Sequence, residues 1–292
     1  TEGHQGLWSK PSDGSGTGSA LAIAAGIDLK GMEITPRHPL TIRDCGIHIP
    51  LDVLGSGGRI RRENGDDVGP EEVLEGEPCV LDLRQMDADA KVWFSQTSMR
   101  IMDRLGIDIS KDVIPLSPGV AYTTGGAPSD AQGRVLFQGH TTEGLPAELW
   151  HTGLYAAGRS AHTGMHGSNA LPGNLLLDDL VSGKAAGEHA SEWATEIKFG
   201  GDTQIEEAVK EESARISSIM GGDGMEVAKF HSKLTSAISS GSSDDASLAE
   251  VRAIKDTGIS LTDTSSVMNT EMVEALRLVG LASIAEAILT SG

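Results

Sequence analysis

Apolar residues first gather at 19–25. There Ser19-Ala-Leu-Ala-Ile-Ala-Ala25 predicts a short helix that Gly26 closes. Met32-Glu-Ile-Thr35 predicts a strand. Between Pro36 and Pro118 the periodicity is broken by Gly, Pro and charge, which predicts a small inserted α+β unit. Its clearest element is a helix over 89–105, with Val92, Trp93, Met99, Ile101, Met102 and Leu105 on one face. Order returns from Val120 to Trp193. Gly153-Leu-Tyr-Ala-Ala-Gly158 predicts a short strand, and Asn174 is placed to cap a helix that starts at Leu175. Leu176, Leu177, Leu180 and Val181 give that helix its apolar face, and it runs on through Ala186.

From about 202 to the end the pattern is helical. Ile205, Val209, Ile216 and Ile219 share one stripe; Val227, Phe230, Leu234 and Ile238 share another. The polar stretch 239–245 predicts a linker. Asn269 or Thr270 is expected to cap a last helix, with Glu271 in its first turn and Met272, Leu276, Val279 and Ile288 near one face. No internal repeat is visible.

A chain of 292 residues suffices for one large or two ordinary domains. It opens at Thr1, which suggests a fragment or a processed product. No apolar run reaches the length of a membrane span and no signal segment is visible, so a soluble, cytoplasmic protein is expected. The formal net charge of −19 repels phosphate and disfavours nucleic acid as a partner; it would suit a salt-rich cytoplasm. Cys45 and Cys79 match neither a disulfide framework nor a zinc pattern and are expected as core thiols.

Few motifs declare chemistry. Gly14-x-Gly16-x-Gly18 lacks the preceding strand of a dinucleotide fingerprint, so a tight turn into a helix is the better reading. His162 and His166 have a metal-ligand spacing, but Gly164 and Gly167 oppose a helix there, and no metal is expected. Asp178-Asp179 and Asp244-Asp245 read as solvated faces or helix-start charges. Neither a nucleophile elbow nor a phosphate-loop lysine is present.

Longer stretches carry more. Residues 153–177 resemble a pattern G-L-Y-A-A-G-E followed by V-H-G-A-N-R-L-G-x-N-S-L-L. Gly16-Thr-Gly18, Ala25-Gly26, Met32-Glu33 and His38-Pro39 resemble T-G-D-G, A-G-A and M-E-F-x-Q-x-H-P-T. Ala121-Tyr-Thr-Thr-Gly-Gly126 resembles H-Y-x-M-G-G, and Asp263 to Leu276 resembles D-x-S-x-x-F-N-T-E-L-x-E-A-L. In collinear order these resemble the flavoprotein subunits of the succinate dehydrogenase/fumarate reductase family. The last stretch favours that branch over the related L-aspartate oxidases.

The resemblance implies an α+β/α/β fold: a partial, Rossmann-like FAD-binding domain with an inserted capping domain, followed by a helical domain. It implies segments 1–36 (FAD-binding), 37–118 (capping), 119–200 (FAD-binding, return) and 201–292 (helical). It further implies FAD as cofactor, a dicarboxylate substrate, iron–sulfur and membrane-anchor subunits as partners, and a peripheral place at the inner face of the cell membrane. In that family hydride passes between a dicarboxylate and flavin, and cationic side chains clamp the substrate carboxylates.

Carried over position by position, the site is depleted. His38 matches the first substrate histidine. The following threonine and glutamate fall at Pro50 and Leu51, a nearby arginine at Leu54, the second histidine at Ala121 and the substrate arginine at Ala170. The proton-carrying arginine has no counterpart in 69–79, so no catalytic residue is expected to be retained. On the cofactor side Gly16, Gly18, Gly158, Asn174 and Leu176 match. Thr17 and Arg159 stand where the family has acids, and Leu175 where it has serine. Two functions follow: an impaired FAD-dependent oxidoreductase subunit, or a non-catalytic relative that keeps the fold as a partner-binding scaffold. An L-aspartate oxidase-like activity is a further alternative.

Overall fold

The computed structural model describes residues 16–43, 45, 47–120, 122–171, 174–197, 201–239 and 245–290. The chain divides into two compact units, one holding 16–35 and 123–290, the other 36–122. Each is described by itself.

The 36–122 unit is built on a five-stranded antiparallel sheet in the order β1-β5-β4-β2-β3. The strands are β1 (Arg37–Ile42), β2 (Arg59–Arg62), β3 (Asp67–Val68), β4 (Cys79–Asp82) and β5 (Ile114–Val120). Leu40, Ile42, Ile60, Leu81, Ile114 and Leu116 are buried on it with Cys79. The first five helices, numbered in chain order, are α1 (Thr17–Ala24), α2 (Asp52–Gly55), α3 (Pro70–Leu74), α4 (Ala88–Trp93) and α5 (Ser95–Leu105). All but α1 lie in this unit.

The helix expected over 89–105 is two helices meeting at Phe94. Ala90, Phe94 and Ile101 turn inward. Val92, Trp93, Met99, Met102 and Leu105, five members of the expected apolar face, stay exposed. The break shifts the helical phase, so the stripe read across it does not exist.

One buried charge stands out in this unit. The Asp82 carboxylate accepts from Arg84 Nε at 2.9 Å, Arg84 Nη2 at 2.7 Å, the Arg84 backbone N–H at 3.1 Å and Arg61 Nη1 at 2.8 Å. The Arg84 side-chain bonds hold its pKa at about 2, outweighing the burial that pushes it up.

The other unit opens with α1, whose Ala20 faces Gly280 of the last helix. The expected strand at 32–35 does not form. Gly31 takes a positive φ of 67°, Ile34 N–H bonds back to Gly31 O, and Ile34 O accepts from Thr124 N–H at 3.1 Å. The segment is therefore a turn tied to a neighbouring loop. Short parallel strands β6 (Ala127–Pro128) and β9 (Ala161–His162) pair with each other. Between them lies an antiparallel hairpin of β7 (Arg134–His140) and β8 (Pro146–Tyr155). The strand expected at 153–158 is thus the tail of a longer one, which ends before Ala156.

Helix α6 (Asn174–Glu196) is longer than expected, and Asn174 is its first helical residue rather than its cap. Its expected core face is exposed: Leu176 is 67% and Leu180 65% accessible, while Ala186 is buried. Beyond it run α7 (Asp202–Gly221), α8 (Val227–Ser239), α9 (Asp245–Thr257) and α10 (Thr270–Thr290), with a parallel pair of β10 (Met225–Glu226) and β11 (Ile259–Ser260).

Phe230, Leu234 and Ile238 are buried as their stripe predicts, whereas Ile205 and Val209 of α7 are exposed. The inward face of α10 is Ala275, Leu278, Ala282 and Ala285, one step round from the expected residues. Asn269 caps this helix through Oδ1, which accepts Met272 N–H at 2.8 Å. Most of the expected 239–245 linker lies outside the described residues, and α9 begins at Asp245. No helix among the described residues is long and apolar enough to cross a membrane.

Candidate functional site

Three of the cofactor positions expected from sequence converge in the larger unit. Gly16 precedes α1 in the left-handed region at φ 70°, and no side chain caps the helix start. No acidic residue occupies its first turn, so the helix dipole places a partial positive charge at the amino end of α1. Two residues on, a Cβ at Gly18 would sit 2.9 Å from Ser160 Oγ. This close approach brings α1 against the turn Gly158–Ser160. Ser19, in the same helical turn, is fully buried, and its hydroxyl has no hydrogen-bond partner among the described residues. A buried hydroxyl without a partner costs about 1–3 kcal/mol, and a bound polar group would remove that cost.

The second wall is α6. Gly158 has φ 54°, and a Cβ there would lie 3.0 Å from Asp179 Cα. A side chain would therefore be strained both by φ and by crowding. Gly158 N–H donates to Ser182 Oγ at 2.8 Å, and Ser182 in turn donates to Asp178 O at 2.5 Å. Arg159 N–H donates to Asp179 Oδ1 at 3.1 Å, and Arg159 Nε lies 3.6 Å from Asp179 Oδ2. The charge-reversed residue is thus anchored on α6 by its backbone and held near a carboxylate by its side chain. Both side chains are partly exposed, so the ion pair itself contributes little.

Asn174 and Leu175 are half-buried and Leu176 is exposed at the start of the same helix. Thr17 is exposed on α1. Asp178, Asp179 and Ser182 were not singled out as a site by sequence. The signal was available, because positions 178, 179 and 182 share the helical face nearest the preceding loop.

The histidines of this loop go separate ways. His162 Nδ1 lies 3.1 Å from Thr124 O, an acceptor, so this nitrogen carries the hydrogen. His166 Nε2 lies 3.3 Å from Asp178 Oδ2. No group of three or more candidate metal ligands forms among the described residues.

On the substrate side, Ala121 lies outside the described residues, and Ala170 is half-buried in the loop before α6. His38 belongs to the 36–122 unit, on β1. Its Nδ1 accepts Leu40 N–H at 3.2 Å, which leaves the hydrogen on Nε2 of the neutral ring. Thr41 Oγ1 donates to His38 O at 2.9 Å and therefore accepts from His48 Nδ1 at 2.8 Å. The His38 and His48 rings are 5.2 Å apart. His48 and Thr41 escaped the sequence reading, since the antiparallel bridge that pairs residue 48 with residue 41 leaves no periodic trace. Pro50 and Leu51 are exposed and Leu54 is half-buried, each without a polar side chain to offer a carboxylate.

The family model for the FAD binding domain matches residues 3–176. The L-aspartate oxidase of Bacillus subtilis is 34% identical over 197 residues, covering 60% of this chain and 34% of that protein. The fumarate reductase flavoprotein subunit of Escherichia coli is 26% identical, covering 95% of this chain and 52% of its own. Among solved structures, an E. coli quinol fumarate reductase aligns over 99% of this chain and 56% of its own, at a TM-score of 0.83 and 22% identity. The chain spans about a third to a half of the length of these curated relatives.

Proposed function

The chain belongs to the FAD-binding-domain family that includes fumarate reductase and succinate dehydrogenase flavoprotein subunits and L-aspartate oxidases, and from this premise we propose that it binds FAD but is impaired in dicarboxylate oxidoreduction. The observation that carries the proposal is a contrast within one chain. The cradle is kept: Gly18 lies against Ser160, Gly158 against Asp179, and α1 starts at Gly16 with no side-chain cap. The polar clamp is not: Pro50, Leu51, Leu54, Ala121 and Ala170 stand where the resemblance calls for polar or charged groups.

The residues present fit the cofactor in part. Gly16, Gly18 and Ser19 would hold it with the start of α1 and a free hydroxyl, Gly158 would give it room for close approach, and the start of α6 at Leu175 and Leu176, beside Asn174, would supply a second set of amides. A bound FAD would supply the hydride chemistry. The chain's own part is to orient it and to keep positive potential where charge develops. A substrate dianion needs cationic, geometrically matched donors, and His38 alone offers one point of contact. Losing several such donors together costs orders of magnitude in rate.

By resemblance the relevant partners are an iron–sulfur subunit and membrane-anchor subunits, with the chain peripheral to the membrane. The segments 1–36, 37–118, 119–200 and 201–292 are the divisions we propose for the cofactor, capping, return and helical parts.

The test is equilibrium titration of the purified chain with FAD, followed by quenching of flavin fluorescence. Saturable quenching at one site per chain supports the proposal. Free flavin emission throughout, from a chain that is folded by circular dichroism, removes the FAD half of it and leaves the reading of a partner-binding scaffold.

A further inference from the structure

Aromatic residues are scarce, at 3% of the chain, with four Trp and two Tyr. Three of those six side chains nevertheless meet in one place, on β8 and the second half of α6. Trp150 and Trp193 have ring centroids 5.5 Å apart, Trp150 and Tyr155 5.7 Å, and Tyr155 and Trp193 6.5 Å. His189, one helical turn before Trp193, lies 5.7 Å from both Trp150 and Tyr155. Tyr155 Oη and His189 Nδ1 are 2.8 Å apart. Gly153 makes room for the packing, since a Cβ there would sit 3.0 Å from Trp193 Cη2.

We propose that Tyr155 and His189 form a one-electron donor site that reduces oxygen-centred radicals. The step balances as follows. An oxygen-centred radical takes one electron from the Tyr155 phenol and becomes the corresponding anion. The phenol O–H bond breaks, and its proton moves along the 2.8 Å hydrogen bond to His189 Nδ1. A neutral tyrosyl radical and an imidazolium remain.

Three features of the site favour this outcome. Burial raises the Tyr155 pKa, so the phenol is protonated at neutral pH and has a proton to transfer on oxidation. His189 Nδ1 faces the Tyr155 hydroxyl and is placed to take its proton. The Arg134 guanidinium sits 5.8 Å from the Trp150 ring centre, pinned by Asp130 at 2.6 Å. The guanidinium face over the ring disfavours an indole radical cation at Trp150, the indole that touches both Tyr155 and His189. Packing α6 onto the hairpin needs the apolar contacts but not the hydroxyl–imidazole bond.

The whole chain is photo-oxidised at pH 7 with tris(bipyridine)ruthenium and persulfate, frozen, and examined by electron paramagnetic resonance. A tyrosyl signal is expected. It is lost in Tyr155→Phe and kept in Tyr122→Phe, the chain's other tyrosine. His189→Gln keeps a hydrogen-bond acceptor but takes up no proton, and the signal is expected to disappear in that variant too. Circular dichroism of each variant matched to the parent excludes a loss through misfolding. A signal that survives Tyr155→Phe, a tryptophan radical in the parent, or an unchanged signal in His189→Gln overturns the proposal.

Discussion

Replacing Asp82 by Asn removes the one carboxylate at which Arg61 and Arg84 converge, and the cost can be worked from the site. Asp82 is 4% accessible and has a pKa of about 2 in the fold. An aspartate in the unfolded chain titrates near 3.9, and a difference of that size corresponds to about 2.6 kcal/mol at neutral pH. Arg61 and Arg84 both reach solvent, so screening trims this to about 2 kcal/mol.

The sign follows from the lowered folded pKa. The contribution is complete above about pH 4 and is lost as the pH falls toward about 2. Urea unfolding of parent and Asp82→Asn, followed by far-ultraviolet circular dichroism at pH 7, 4 and 2, reads it directly. The variant is expected to be less stable by about 2 kcal/mol at pH 7, with the gap closing at the lowest pH. A gap that does not change with pH would refute the electrostatic account, because it would reflect packing instead. No gap at pH 7 would mean that the two guanidiniums gain as much from water as from Asp82.

Three further outcomes follow from named contacts. Gly158→Ala forces a side chain into φ 54° against Asp179, and is expected to cost about 1–3 kcal/mol in a thermal melt and to weaken FAD binding together with it. Asn269→Ala removes the cap of α10 and is expected to cost about 1 kcal/mol, read by urea unfolding. Leu180→Glu on the exposed face of α6 is expected to change stability by less than about 0.5 kcal/mol, because that side chain is not part of the core of this chain.

The sequence revealed elements whose reasons were local. The Phe230, Leu234 and Ile238 stripe and the Asn269 cap follow from spacing alone, and both are present. Elements decided by distant contacts were misread. Phe94 stops one helix and starts another, which moved the buried face of 88–105 onto Ala90, Phe94 and Ile101. The Leu176–Val181 face of α6 has the composition of a core stripe and is exposed, since periodicity shows which residues share a face but not whether anything covers it. The β7–β8 hairpin went unseen because its strands carry mixed polar and apolar residues on both faces.

The candidate site was legible in a different way. The glycines stood out through a family pattern, and the structure places Gly18 close against the Ser160 side chain and Gly158 close against Asp179. Their partners Ser160, Asp179 and Ser182 carried no role in the family pattern, and only folding brings them to the glycines. His48 is of the same kind: Thr41 joins it to His38 through one hydroxyl, a relation that spacing along the chain does not express.

The central claim, cofactor binding without dicarboxylate turnover, is tested most directly by loading the chain with FAD under anaerobic conditions and adding excess succinate while recording the visible spectrum. The account predicts a flavin band that stays oxidised after succinate and bleaches on adding dithionite. Bleaching by succinate alone would contradict it, and would mean that His38 and residues outside the carried-over positions rebuild a working clamp.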